Sequence, residues 1–116
     1  MPALVLALAL IPFGGPAADE AMDQRLAAGK KLVTARDKGN CLACHAMPTM
    51  PDAVQAGNSG PPLVAMSARF PDKAALRAQI WDPMVRNPQT FMPPFGKHKI
   101  LTEKELDKVV DFVYGL

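Results

Sequence analysis

The sequence is poor in the bulky aromatic side chains that usually close the core of a small protein. Phe, Trp and Tyr together make up 6% of the 116 residues, although hydrophobic residues reach 49%. This length allows one small domain and excludes a multidomain enzyme. A core with so few aromatic rings indicates that something other than side chains fills part of it.

The sequence also lacks any block of like charge, because its 13 basic and 11 acidic side chains are interspersed. It therefore has no basic segment of the kind that binds nucleic acid or an anionic membrane. Internal repeats, flexible linkers and strand-like alternation of useful length are missing as well. Proline, in contrast, is abundant, with 12 residues, and proline breaks helices. We therefore expect short helices and ordered loops.

An apolar run occupies residues 3–13 and is followed by small residues as far as Ala18. It is too short to span a bilayer, which takes about 20 residues, and it is typical of a secretory signal cleaved after Ala17 or Ala18. No Lys or Arg precedes it, so either the true start lies upstream or the run is not a signal. A buried helix is disfavoured by Pro and Gly within residues 12–16. The sequence predicts a signal over 1–18, export to the periplasm and a domain over 19–116.

Three stretches of the remaining chain have helical periodicity. Apolar residues recur at spacings of three and four from about 21 to 36. A second helix is predicted from Pro71 or Asp72 to Trp81, and Asp72 can cap its first turn. Thr102 and Glu105 form a capping box at the start of a third, which carries an apolar stripe. Between these helices, prolines predict extended or turn-like segments. The prediction is an all-α fold.

The chemistry is concentrated in Cys41-Leu42-Ala43-Cys44-His45, where two cysteines three residues apart are followed at once by a histidine. This spacing is the attachment signature of c-type haem. On one helical turn both cysteines face the same way and can form thioethers with the two haem vinyl groups, leaving His45 beside the iron. One covalent haem c would also supply the apolar bulk that the core lacks.

Other uses of two nearby cysteines remain open. A structural disulfide suits an exported protein but leaves His45 unexplained. A redox-active dithiol needs a strand-helix-strand context that is absent here. A structural zinc site needs four ligands, and only His98 remains as another strong ligand that is not a carboxylate.

Met92 is the best placed residue for the sixth iron ligand. It lies in the proline-rich loop 91–96, immediately before the capped helix, and prolines hold a weak thioether in place at low entropic cost. It could instead be core filler between two Phe residues. Ligation by Met and His raises the reduction potential and leaves no open position for a substrate, so the site suits electron transfer.

Other side chains are weaker candidates for the sixth ligand. Met47 and Met50 follow His45 too closely to reach the other face of the iron, whereas Met66 and Met84 are allowed by distance. Three residues after the Met92 loop are further alternatives that we expect to be solvated: Lys97, His98 and Lys99.

A ligating histidine usually donates its second ring N–H to a carbonyl or carboxylate. The stretch Gly60-Pro61-Pro62-Leu63 resembles the Gly-Pro-x-Leu stretch of class I cytochromes c, in which the proline carbonyl has this role. The resemblance assigns it to Pro61, although a plain tight turn also fits. In the same family a glycine of the first helix lets an aromatic side chain of the last helix pack closely, which implies Gly29 and Tyr114 here.

A more specific resemblance joins the haem signature to the loops that follow it. Residues 39–48, 56–63, 80–83 and 92–96 together resemble the SoxX family of sulfur-oxidation cytochromes, and the likeness extends from about Leu32 to the end of the chain. It implies a class I cytochrome c fold of three to four short helices around one covalent haem. It also implies the monohaem subunit of a periplasmic heterodimer with SoxA.

In that family the SoxAX complex couples thiosulfate oxidatively to a cysteine of the carrier SoxYZ. The resemblance places the catalytic site of this L-cysteine S-thiosulfotransferase on SoxA, and SoxX passes electrons to a downstream cytochrome. A free-standing periplasmic electron shuttle is the alternative. A subunit should expose apolar docking loops, for which we expect 47–51 or 91–95, whereas a shuttle should expose a charged rim.

Overall fold

The computed structural model describes residues 14–116, which contain helices and no strand. The all-α class expected from the sequence is confirmed. No helix among these residues has the length and apolar character needed to cross a membrane. The elements, in chain order, are α1 (Pro16–Thr34), a 3-10 turn (Cys41–Ala43), α2 (Met66–Arg69), α3 (Lys73–Trp81), a second 3-10 turn (Pro83–Val85) and α4 (Glu103–Tyr114).

Helix α1 begins five residues earlier than the periodicity predicted. Pro16 occupies its first turn, where the missing N–H of proline costs nothing because that donor has no partner in the helix. The break predicted for a helix through the apolar run stays a prediction, because residues 1–13 lie outside the described part of the chain. The signal predicted for 1–18 lies largely outside the described residues, and its cleavage position falls in the first turn of α1.

The two other predicted helices are confirmed with their caps. The carboxylate of Asp72 accepts the backbone N–H of Ala74 at the start of α3, at 2.9 Å. At the start of α4, the Thr102 hydroxyl accepts from the Glu105 N–H at 3.2 Å, and the Glu105 carboxylate accepts from the Thr102 N–H at 2.9 Å. This reciprocal pair fixes where α4 begins, and the apolar stripe of α4 is buried.

Helices α1 and α4 pack closely at Gly29. A Cβ on Gly29 would overlap the Lys108 carbonyl oxygen and lie 2.8 Å from Cβ of Phe112. The expectation that Tyr114 packs here is wrong, because Lys108 and Phe112 are four residues apart on one face of α4 and Tyr114 is turned away from that face. The Tyr114 hydroxyl instead donates to the Pro71 carbonyl at 3.3 Å.

Substitution Gly29→Ala is expected to destabilise the fold. The added methyl meets backbone of α4, which cannot rotate away, and overpacking of this kind costs about 1–3 kcal/mol. Chemical denaturation of the haem-loaded protein measures the loss. The matched control is Gly115→Ala, because its new Cβ would come no closer than 3.5 Å to any neighbour. Equal stability of the two variants would contradict the close packing.

Ion pairs attach α4 to the helices on both sides of it. Asp111 accepts from Arg25 of α1 and, at 2.8 Å, from Lys73 of α3. Partial burial alone would raise the pKa of Asp111, but the hydrogen bonds from Lys73 and Arg25 hold it below its usual value. This pairing keeps the carboxylate charged and orients α1 and α3 against α4.

The buried apolar residues of the described chain contain a single aromatic side chain, Phe95. Met47 and Met50 belong to this core, with 2% and 8% of their surface exposed. The expectation that loop 47–51 exposes these methionines is therefore wrong, although Pro48 and Pro51 of the same loop are exposed. A turn in which the Met50 N–H donates to the Met47 carbonyl, at 3.0 Å, folds both side chains inward, and flexible Met fills irregular gaps well. Pro94 and Phe95 are buried too, so Phe91 and Pro93 are the exposed residues of the second predicted docking loop, 91–95.

Candidate haem site

A cavity of about 890 Å³ lies between the 3-10 turn, the Met92 loop and helices α3 and α4. Its volume falls within the range typical of small-molecule and cofactor sites, roughly 300–1,000 Å³. Its lining contains each of the residues that the sequence singled out for haem: Cys41, Cys44, His45, Pro61 and Met92. The fold therefore brings residues about fifty positions apart to a single cavity.

Cys41 begins the first 3-10 turn, and Cys44 directly follows its last residue. Asn40 precedes the turn with a left-handed backbone, φ 48° and ψ 36°, which Asn tolerates better than most residues. The His45 N–H donates to the Cys41 carbonyl at 2.9 Å, which continues the turn as far as His45. The segment thus presents both sulfurs and the imidazole from one short, hydrogen-bonded piece of chain.

The two cysteines are not joined by a disulfide in this structure, and the pKa of Cys41 differs from that of a redox-active dithiol. Burial raises the pKa of the Cys41 thiol to about 11, whereas reactive dithiols depend on a lowered thiol pKa. Among residues 14–116, no three His, Cys, Asp or Glu side chains are grouped so that they could hold a metal ion.

The imidazole of His45 is held by the segment that follows it. Its Nδ1 lies 2.6 Å from the Pro61 carbonyl oxygen. Since a carbonyl can only accept, Nδ1 carries a proton, and the neutral form of this ring has its lone pair on Nε2. The backbone supports this position, because Gly60 N–H donates to the Cys44 carbonyl and Leu63 N–H to the Ala46 carbonyl, both at 2.8 Å.

Gly60 is required by the ring of His45. A Cβ at this position would lie 2.7 Å from Nδ1 and 2.8 Å from Nε2 of the imidazole, which is closer than any side-chain carbon can approach. The pattern Gly-Pro drew attention to Pro61 in the sequence. It gave no indication that the glycine before it makes room for the ring.

The loop that carries Met92 is anchored at both ends. The Met92 N–H donates to the Thr90 hydroxyl at 3.1 Å. Lys97 donates to the buried Asp82 carboxylate at 2.9 Å, and this hydrogen bond holds the pKa of Asp82 below its usual value. Gly96 lies directly against the ring of Trp81, with no space for a side chain. These contacts fix the loop at the cavity wall.

The other candidate ligands have different surroundings. Met66 lines the cavity, but its sulfur already accepts from the Arg69 guanidinium at 3.3 Å. Met84 is half-buried outside the cavity lining. The three polar alternatives after the loop are all exposed and also lie outside the lining: Lys97, His98 and Lys99.

The residues of the cavity fit haem c. Its wall carries two thiols, an imidazole whose free nitrogen is Nε2 and a thioether, which is a donor set that iron accepts. Among the polar residues of the wall that the sequence analysis did not single out is Gln79 of α3. Its position three residues after Leu76, on the apolar stripe of a predicted helix, was the pattern that could have revealed it.

Comparison with known proteins agrees with this geometry. The chain is similar to a chain of the crystal structure of SoxXA from P. pantotrophus, with 27% sequence identity and a TM-score of 0.68, over 76% of this chain and 78% of that one. This similarity supports a SoxX-like cytochrome. The chain is also 32% identical, over 77 residues, to an uncharacterized lipoprotein of Aquifex aeolicus (strain VF5).

That alignment covers 66% of this chain but 36% of the Aquifex relative, so the chain spans little more than a third of that protein's length. The match to a protein family is more extensive. Residues 24–113 match the family described as cytochrome c oxidase, cbb3-type, subunit III. Since the match covers most of the chain, the protein is an electron-transfer cytochrome that belongs to this family of cytochrome c domains.

Proposed function

We propose that this cytochrome carries one covalent haem c and relays electrons as the SoxX-type subunit of a complex with a SoxA-type cytochrome. The observation that supports this most directly is the single cavity on whose wall Cys41, Cys44, His45 and Met92 all lie. The similarity to SoxXA indicates the class of partner.

Each residue of the site has a defined part in this proposal. The sulfurs of Cys41 and Cys44 would hold the haem through thioethers, and Nε2 of His45 and Sδ of Met92 would bind its iron. When bound, the haem supplies one-electron oxidation and reduction. The Pro61 carbonyl fixes the tautomer and orientation of His45 and strengthens it as a ligand. With both ligands in place the iron would have no position for a substrate, which favours electron transfer.

The docking face of a partner is best assigned to the loop before Met92. Phe91 is fully exposed, at 100% of its surface. Phe91 and Pro93 border the cavity. In the loop 47–51, by contrast, both methionines are buried in the core. A large exposed aromatic residue beside a cofactor is typical of a binding hot spot. A partner seated on it would lie close to the haem edge.

One observation favours the free electron shuttle as a second candidate. Four basic residues line the cavity and no carboxylate does: Arg36, Lys38, Arg69 and Arg86. Such a rim could steer acidic partners over a distance.

The remaining parts of the main proposal follow from the resemblance to SoxX. They are thiosulfate as the substrate of the complex, SoxYZ as its carrier, a downstream acceptor cytochrome and export to the periplasm.

Binding to a SoxA-type cytochrome tests the proposal. The haem-loaded chain alone should not be reduced by thiosulfate in the presence of the sulfur carrier, and adding the partner should restore reduction. Phe91→Ala is expected to weaken partner binding at least thirtyfold, as a hot spot of about 2 kcal/mol would. The control is Val54→Ala, an exposed apolar residue outside the cavity lining. No binding at micromolar concentration, together with free electron exchange with unrelated cytochromes, would establish the shuttle.

A further inference from the structure

One polar side chain interrupts the apolar face that α3 turns toward the cavity. Leu76, Gln79 and Ile80 line the cavity together, as expected for positions i, i+3 and i+4 of one helix face. Leu76 and Ile80 are buried apolar residues. An amide at the position between them is costly, because a polar group removed from water loses about 1–3 kcal/mol unless it is hydrogen-bonded.

The two ends of the Gln79 amide have different surroundings. Its Nε2 faces Sδ of Met92 at 4.0 Å, the outer limit for an N–H to sulfur contact. Its Oε1 is buried and has no hydrogen-bond partner among the described residues, and it is the only buried side-chain nitrogen or oxygen there without one. Among the described residues, the Gln79 amide therefore makes one hydrogen-bond contact, which is with the sulfur of Met92.

We propose that Gln79 is a positioning residue for Met92, which donates a side-chain N–H to the sulfur and thereby determines which sulfur lone pair faces the iron. A thioether sulfur has two lone pairs. If one accepts from Gln79, the other is directed into the cavity. The Thr90 hydroxyl holds only the backbone of Met92, so without Gln79 the sulfur is free to exchange its lone pairs.

The same contact affects the reduction potential. The positive end of an N–H dipole beside the sulfur disfavours the more positive, oxidised iron and withdraws electron density from the ligand. Gln79 is thus expected to stabilise the reduced state. The inference rests on the proposed function, since it requires Met92 to be the ligand.

The test is Gln79→Leu in the haem-loaded protein. We expect the midpoint potential to fall by an amount equal to at least a threefold change in the reduction equilibrium, about 28 mV for a one-electron couple at 59 mV per tenfold. Imidazole should displace Met92 from oxidised iron with about fivefold higher apparent affinity, corresponding to one hydrogen bond of about 1 kcal/mol. The Met92 methyl resonance should broaden as the sulfur exchanges its lone pairs. Gln24→Leu, on the exposed face of α1, is the matched control.

A purely structural role of Gln79 gives a different result. Leucine removes a buried acceptor that has no partner, so the proposal expects an unchanged or raised melting temperature. A lowered melting temperature with wild-type potential and imidazole affinity would overturn it. Gln79→Met provides a second apolar variant of similar length, and wild-type potential in both would also overturn the proposal. If the wild-type protein shows no sulfur–iron absorption band, the ligand assignment fails instead, and the two failures are thereby distinguished.

Discussion

Replacing both Cys41 and Cys44 with alanine is expected to abolish covalent haem completely. Thioethers to these two sulfurs are the only covalent links that the site can form, because the described chain has no other cysteine. After expression with a working haem-attachment system, the wild-type band in denaturing electrophoresis should keep haem-dependent peroxidase staining and a mass increase of one haem. The double variant should lose both.

The single variants provide the control. Cys41→Ala and Cys44→Ala should each retain a stained band, because one thioether remains, with an absorption maximum moved to longer wavelength by the unreacted vinyl group. A wild-type protein without stain, or a double variant with full stain, would contradict the haem assignment. We also expect the double variant to be markedly less stable, since its cavity of about 890 Å³ would lack a fixed occupant.

The second large effect is expected for Met92→Ala. In the oxidised protein, the sulfur–iron bond gives a weak absorption band near the red edge of the visible spectrum, and loss of Met92 should abolish it. The reduction potential should also fall clearly, because Met ligation raises the potential relative to harder ligands. Absorption spectroscopy and a redox titration measure the two changes.

Two matched substitutions separate ligation from packing. Met66→Ala removes a methionine of the same cavity wall, whose sulfur is bonded to Arg69, and Met84→Ala removes one outside the wall. Both are expected to keep the band, although Met66→Ala should lose about 2–5 kcal/mol of stability as a buried side chain. Loss of the band in Met66→Ala and its survival in Met92→Ala would move the ligand to Met66.

Features that depend on neighbouring residues could be predicted from the sequence. The capping box at Thr102, the Asp72 cap and the helical stripes follow from local hydrogen bonding and from the period of the helix. The spacing of Cys41, Cys44 and His45 is likewise a local property, because one turn is enough to place them together. For the same reason the all-α class and the haem signature needed no knowledge of the rest of the chain.

Features that depend on packing between distant segments required the tertiary structure. The sequence offered two apolar loops as docking faces, and the structure shows that Met47 and Met50 are core while Phe91 is exposed. It offered an aromatic partner for Gly29, and the rotation of α4 places Phe112 there instead of Tyr114. In both cases the residue type was right for either environment, and only the packing of neighbouring elements decided between them.

The sequence thus predicted the three longer helices and the haem-attachment motif, because both depend on residues within one or two turns of each other. The surroundings of the candidate ligands became visible only in the packed fold. Gly60 and Pro61 meet His45 across a loop of some fifteen residues, and Gln79 meets Met92 from another element. No periodicity or spacing encodes these contacts, since they arise when separate segments close around one cavity and compete for its limited volume.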